Sequence, residues 1–111
     1  MIYDFLDKET KRLEEELNED KKALSELQIK KQENKKFVQV LKDTIEHKCA
    51  GFTPYEVTKE EERKIEELKK ENAIIEEQIM ELENSIFEQE SMLSEYKKIA
   101  EMAKDLEDKY K

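Results

Sequence analysis

Gly51 and Pro54 are the only glycine and the only proline in this chain of 111 residues, and they stand together near its middle. Away from them, nothing in the sequence interrupts a helix. Gly adopts the left-handed conformation that closes a helix C-terminus, and Pro is preset for the first turn of the next helix. Thr53-Pro54-Tyr55-Glu56 spells a capping box, in which the Thr53 hydroxyl accepts from the Glu56 N–H and the Glu56 carboxylate reaches back. Phe52 and Val57 occupy the two positions of a hydrophobic staple. One helix therefore ends and another begins within about four residues, and so short a connection makes antiparallel neighbours.

The flanking segments follow heptads. In the first, the a positions are Tyr3, Thr10, Leu17, Leu24, Lys31, Val38 and Ile45, and the d positions are Leu6, Leu13, Asp20, Leu27, Asn34, Leu41 and Lys48. In the second, a is Ile65, Asn72, Ile79, Ile86, Leu93 and Ala100, and d is Leu68, Ile75, Leu82, Gln89, Tyr96 and Ala103. A sustained 3-4 spacing means a coiled-coil seam. The fold class read from the sequence is all-α: an antiparallel two-helix coiled-coil hairpin. Its helices are expected over about 2–49 and 54–110, with the turn over 50–53, as one domain spanning 1–111. Thr58-Lys59-Glu60-Glu61 is a second capping box, but the Phe52/Val57 staple favours a start at Thr53.

Folding at Gly51-Phe52 sets residue i against about residue 103 − i, which places Leu17 by Ile86, Lys31 by Asn72, and Tyr3 by Ala100. Polar residues at Asp20, Lys31 and Asn34 then weaken the seam locally and set its register. Charge agrees with the pairing. From Glu71 to Tyr96 there are eight acids and no base, while the facing helix carries Lys21, Lys22, Lys30 and Lys31. Such exposed pairs select register more than they stabilise.

After Tyr96 a second phase begins. Ile99, Ala103, Leu106 and Tyr110 make a seam that needs a three-residue step from Tyr96, a stammer. The segment 99–111 is expected to project as an output helix with this stripe as its seam. Elsewhere on the second helix, Ala73, Met80 and Phe87 recur every seven residues off the seam. They form a candidate association face, from which a homodimer or a protein partner is expected.

Composition bounds the chemistry. The formal charge of −9 disfavours nucleic acid and an anionic membrane surface, because phosphate binding needs a basic stripe. No apolar run approaches the roughly 20 residues of a membrane span, and no export signal is legible, so a cytoplasmic location is expected. His47 and Cys49 sit beside the turn, but a structural zinc site needs about four ligands at characteristic spacing. Cys49 at a helix C-terminus is opposed in ionising by the negative dipole end. No catalytic, cofactor-binding or metal-binding residues are assigned, no cofactor is expected, and the region reads as non-enzymatic.

A long helix, a tip of the form Phe-(Ser/Thr)-x-x-Glu-apolar and a second long helix resemble the N-terminal sensory region of DegS-type histidine kinases. Phe52-Thr53-Pro54-Tyr55-Glu56-Val57 carries the likeness. The resemblance implies a non-catalytic signal-input coiled coil of a bacterial two-component sensor kinase. The chain holds Glu46-His47-Lys48 where a phosphoacceptor helix has His followed by an acid, so phosphorylation chemistry belongs to no residue here. The alternative is a structural or adaptor coiled coil with no signalling role.

Overall fold

The computed structural model describes residues 2–49 and 55–110. Two helices make up these residues: α1, Ile2–Cys49, and α2, Tyr55–Lys109. The turn residues Gly51, Phe52, Thr53 and Pro54 lie outside the described residues, as do the side chains of Glu56 and Val57. Both helices are built mainly from Glu, Lys, Leu, Gln and Ala, the residues that lose least on entering a helix. His47 and Lys48 place basic groups at the α1 C-terminus, where they complement the negative end of the helix dipole. Thr58 lies inside α2 and is buried at 2% exposure, so it is not the N-cap.

The chain divides into two units, each an antiparallel pairing of α1 with α2, and the fold is a coiled-coil hairpin. Unit 1 joins Met1–Leu24 to Glu81–Lys111. Its core is Leu13, Leu17, Ile86 and Leu93, with Leu24 and Tyr96 packed against it. Each such side chain contributes about 1.5–3 kcal/mol of burial, so the narrow seam supplies most of the favourable term. Thr10 fills a buried seam position, where its Oγ1 donates to the Leu6 carbonyl at 2.8 Å and needs no partner on α2. Glu14 and Lys21 flank the seam and pair with Lys97 and Glu90, at 3.1 and 3.2 Å.

Unit 2, Ser25–Met80, is unevenly buried. From α2 it buries Ile65, Leu68, Ile75 and Ile79. From α1 the apolar residues Leu27, Val38, Leu41 and Ile45 are only half-buried, and Asn34 is the buried seam residue. Lys30 and Lys31 reach Glu71 and Glu76, and Lys48 hydrogen-bonds Glu61. The complementary charges of the two helices do meet.

The register differs from the expected one. In unit 2, Asn34 pairs with Asn72, and in unit 1, Leu13 shares a cluster with Leu93; both place residue i opposite about residue 106 − i. The three-residue shift has a geometric cause. A three-residue step from a to d on one helix must face a three-residue step on the other. Read backwards along an antiparallel partner, that step runs from d to a. Each layer is therefore a against d, whereas the 103 − i register set a against a, as parallel helices do. Tyr3 accordingly lies beneath Lys104, whose Nζ is 5.9 Å from the ring centroid, and not opposite Ala100.

Against α1, the C-terminal part of α2 keeps its original heptad phase. Ala100, Ala103 and Glu107 are half-buried, while Ile99, Leu106 and Tyr110 face solvent. A helix carries its phase forward, and the core at Leu93 and Tyr96 sets which residues follow on the α1 side.

Candidate interaction site

Two kinds of feature in the hairpin bear on recognition: polar layers within the seam and apolar residues outside it. The clearer polar layer is in unit 2. Asn34 Nδ2 donates to Asn72 Oδ1 at 2.9 Å, and Asn72 Nδ2 donates to the Lys31 carbonyl at 3.3 Å. Asn34 is 5% exposed, so water cannot readily replace its partner. A register slip would strand both amides among apolar residues, and that penalty makes a polar seam pair a register pin. Lys31, the third polar seam residue here, turns its ammonium outward to Glu76.

The second layer is in unit 1, where Gln89 Nε2 donates to Asp20 Oδ2 at 2.8 Å. Gln89 Oε1 is buried with no hydrogen-bond partner among the described residues. This layer is less complete than the Asn34–Asn72 layer.

The apolar residues outside the seam lie mostly on α2. In unit 2, Ala73, Ile74 and Met80 are exposed, and on α1 so are Ile29, Phe37 and Val40. In unit 1, Phe87 is 70% exposed, and Met92, Ile99, Met102, Leu106 and Tyr110 are exposed beyond it. Phe5 is the exposed aromatic of α1 in the same unit. Thus Ala73, Met80 and Phe87 of the candidate association face are open to solvent. Of the candidate output seam, Ala103 is half-buried, and the other members are open. Met92 and Met102 were not singled out from the sequence. For Met92 the signal was there, since Met92, Ile99 and Leu106 repeat every seven residues; Met102 repeats with Glu95 and Lys109 and has no such signal.

Ionised groups on the surface are held by close partners. The Arg12 guanidinium is shifted upward, first by its hydrogen bond to Glu9 and then by the charges of Glu9 and Glu16. Arg63 is shifted upward in the same way by Glu60 and Glu67. Glu61 is shifted downward, mainly by its hydrogen bond to Lys48. None of these clusters lines an enclosed cavity. A shallow groove in unit 1, between Tyr3, Thr10 and Lys11 on one side and Lys97, Ala100 and Lys104 on the other, mixes its charges with Asp7, Glu14 and Glu101. It presents no concentrated field to a charged ligand.

Among the described residues, no group of three His, Cys, Asp or Glu side chains is placed to hold a metal ion, and no helix is long and apolar enough to cross a membrane. Comparison with protein-family models, with curated proteins and with solved structures finds no match to this chain. What the arrangement offers chemically is surface: a pinned helical pair whose second helix shows apolar side chains to solvent.

Proposed function

We propose that this chain is a non-catalytic protein-interaction coiled coil. The observation that carries this reading is the exposed apolar side of α2 in unit 1, where Met92, Ile99, Met102 and Leu106 recur at helical spacing without contributing to the buried core. Scattered apolar residues are ordinary on a protein surface, but a run in one phase of a helix is the pattern of a docking stripe.

The narrower form is the signal-input hairpin of a cytoplasmic two-component histidine kinase. It rests on the tip Phe52–Val57 and on the two seam phases available after Tyr96, since a switch needs two packings of similar energy. A reading frame that continues past Lys111 into a His-Asp or His-Glu phosphoacceptor helix and ATP-binding boxes supports this form. A frame without them favours a structural or adaptor coiled coil.

The interaction reading is tested in the cells that make the protein. A photo-crosslinking amino acid is placed at Ile99 or Leu106, with Glu77 on the charged surface as control. Discrete protein adducts at Ile99 and Leu106, absent at Glu77, are expected. No adduct at either position would defeat the reading.

A further inference from the structure

The stripe on α2 has a property that names its occupant. Met92, Tyr96, Ile99, Ala103, Leu106 and Tyr110 are separated by steps of four, three, four, three and four residues. Met92, Ile99, Leu106 and Tyr110 are exposed in this stripe, while Tyr96 and Ala103 are half-buried and shared with the seam packed on α1. The spacing reads the same from either end. An antiparallel copy of the same stripe therefore matches it step for step, with Met92 against Tyr110, Tyr96 against Leu106, and Ile99 against Ala103.

The flanking charges agree with that pairing. In an antiparallel coiled coil, residues on one flank of the seam face those on the same flank of the partner. Glu95, Met102 and Lys109 form one such flank, so Glu95 falls opposite Lys109 of a second copy and Met102 opposite its own equivalent. One position further out, Lys98 falls opposite Asp105. Twofold symmetry makes each ion pair occur twice, as an isologous interface requires. A parallel pairing instead sets Glu95 against Ala100 and Met102 against Glu107, with no opposite charges in contact.

We propose that the exposed stripe from Met92 to Tyr110 is the interface for a second copy of this chain, packed antiparallel about a twofold axis near residue 101. This assignment rests on the interaction reading above and names the partner. The dimer buries Met92, Ile99, Leu106 and Tyr110, which the α1 contact leaves in water, and its symmetry directs the two α2 C-termini to opposite ends of the interface.

The test uses the purified full chain with Cys49→Ser, which removes the native thiol. Sedimentation equilibrium at micromolar concentration is expected to report a dimer. Ile99→Glu with Leu106→Glu should raise its dissociation constant more than about 100-fold, because apolar anchors are lost and charges are placed in the seam of both copies. Helix content should not change, since both residues are exposed in the hairpin. Glu95→Lys should weaken the dimer, and adding Lys109→Glu should restore it.

Orientation is read from a spin label at Asn84→Cys. An antiparallel dimer separates the two labels by about 50 Å, from 1.5 Å rise per residue, whereas a parallel one holds them within about 25 Å. The short distance, or a dimer indifferent to the Ile99 and Leu106 substitutions, would overturn the proposal. A monomer up to hundreds of micromolar overturns it too. If that monomer still gives adducts in cells at Ile99, only the second copy is lost and the interaction reading stands. If it gives none, both fall.

Discussion

Removing the Asn34–Asn72 pair one side chain at a time measures what a polar seam layer does. Asn34→Ala leaves Asn72 Oδ1 without its donor in a layer where Asn34 is 5% exposed. An unsatisfied buried acceptor costs about 1–3 kcal/mol. Asn72→Ala strands the Asn34 amide and also removes the longer bond to the Lys31 carbonyl, so its cost should equal or exceed that of Asn34→Ala. With both residues replaced, neither amide remains to be stranded. The double variant should then be more stable than the sum of the single losses implies, by about 0.5–3 kcal/mol, the range for residues that share a hydrogen bond. A further pair, Asn34→Leu with Asn72→Leu, should be neutral or stabilising, because an apolar layer carries no desolvation penalty. Its cost should appear as lost register, read from the distance between spin labels on α1 and α2, which should broaden. Urea titrations followed by circular dichroism provide the free energies. They need two protein concentrations, so that association is not mistaken for fold stability. Strictly additive single losses would show that the two amides do not depend on each other, and would refute the register-pin argument.

Leu17→Ala, in the unit 1 core, should cost about 2–4 kcal/mol in a urea titration, whereas Ile74→Ala, at an exposed site of α2, should cost under about 0.5. Asp20→Leu with Gln89→Leu should stabilise the chain by about 1–3 kcal/mol, seen as a raised urea midpoint, because it removes a half-buried carboxylate and an unpartnered amide oxygen. The Glu61 carboxyl is held below its ordinary range by Lys48, so its contribution is present above the unfolded carboxylate pKa and is lost as pH falls through the folded one. The stability gap between the parent chain and Glu61→Gln should therefore close on acidification, and a gap unchanged down to strongly acidic pH would contradict the pairing.

The helical content of this protein, its antiparallel sense and the residues of its α1–α2 seam were legible in the sequence. All three depend on local chemistry: helix-forming residues throughout, one Gly and one Pro at the middle, and a 3-4 spacing that admits a single apolar stripe per helix. The polar pairing was legible in kind. Asn34 and Asn72 are seam residues in any register, and a polar seam group seeks another. The pairing register was not obtained from charge and polarity alone, because long Lys and Glu side chains tolerate a shift of several residues and still meet. Reading the 3-4 steps in opposite directions along the two helices separates the registers, since only the a-against-d layer keeps equal steps face to face.

The candidate site needed the tertiary structure more than the fold did. Past Tyr96 the sequence offers α2 two stripes, one of Ala100 and Ala103, the other including Ile99 and Leu106. By hydrophobicity alone, the larger residues would be placed inside. The structure puts Ala100 and Ala103 toward α1 and leaves Ile99 and Leu106 in solvent. The reason is cooperative. Leu93 and Tyr96 are already packed with Leu13 and Leu17, and a regular helix cannot rotate its next turn without breaking hydrogen bonds. Which residues are apolar is a property of the sequence, but which of them remain available to a partner is decided by the layers already packed upstream.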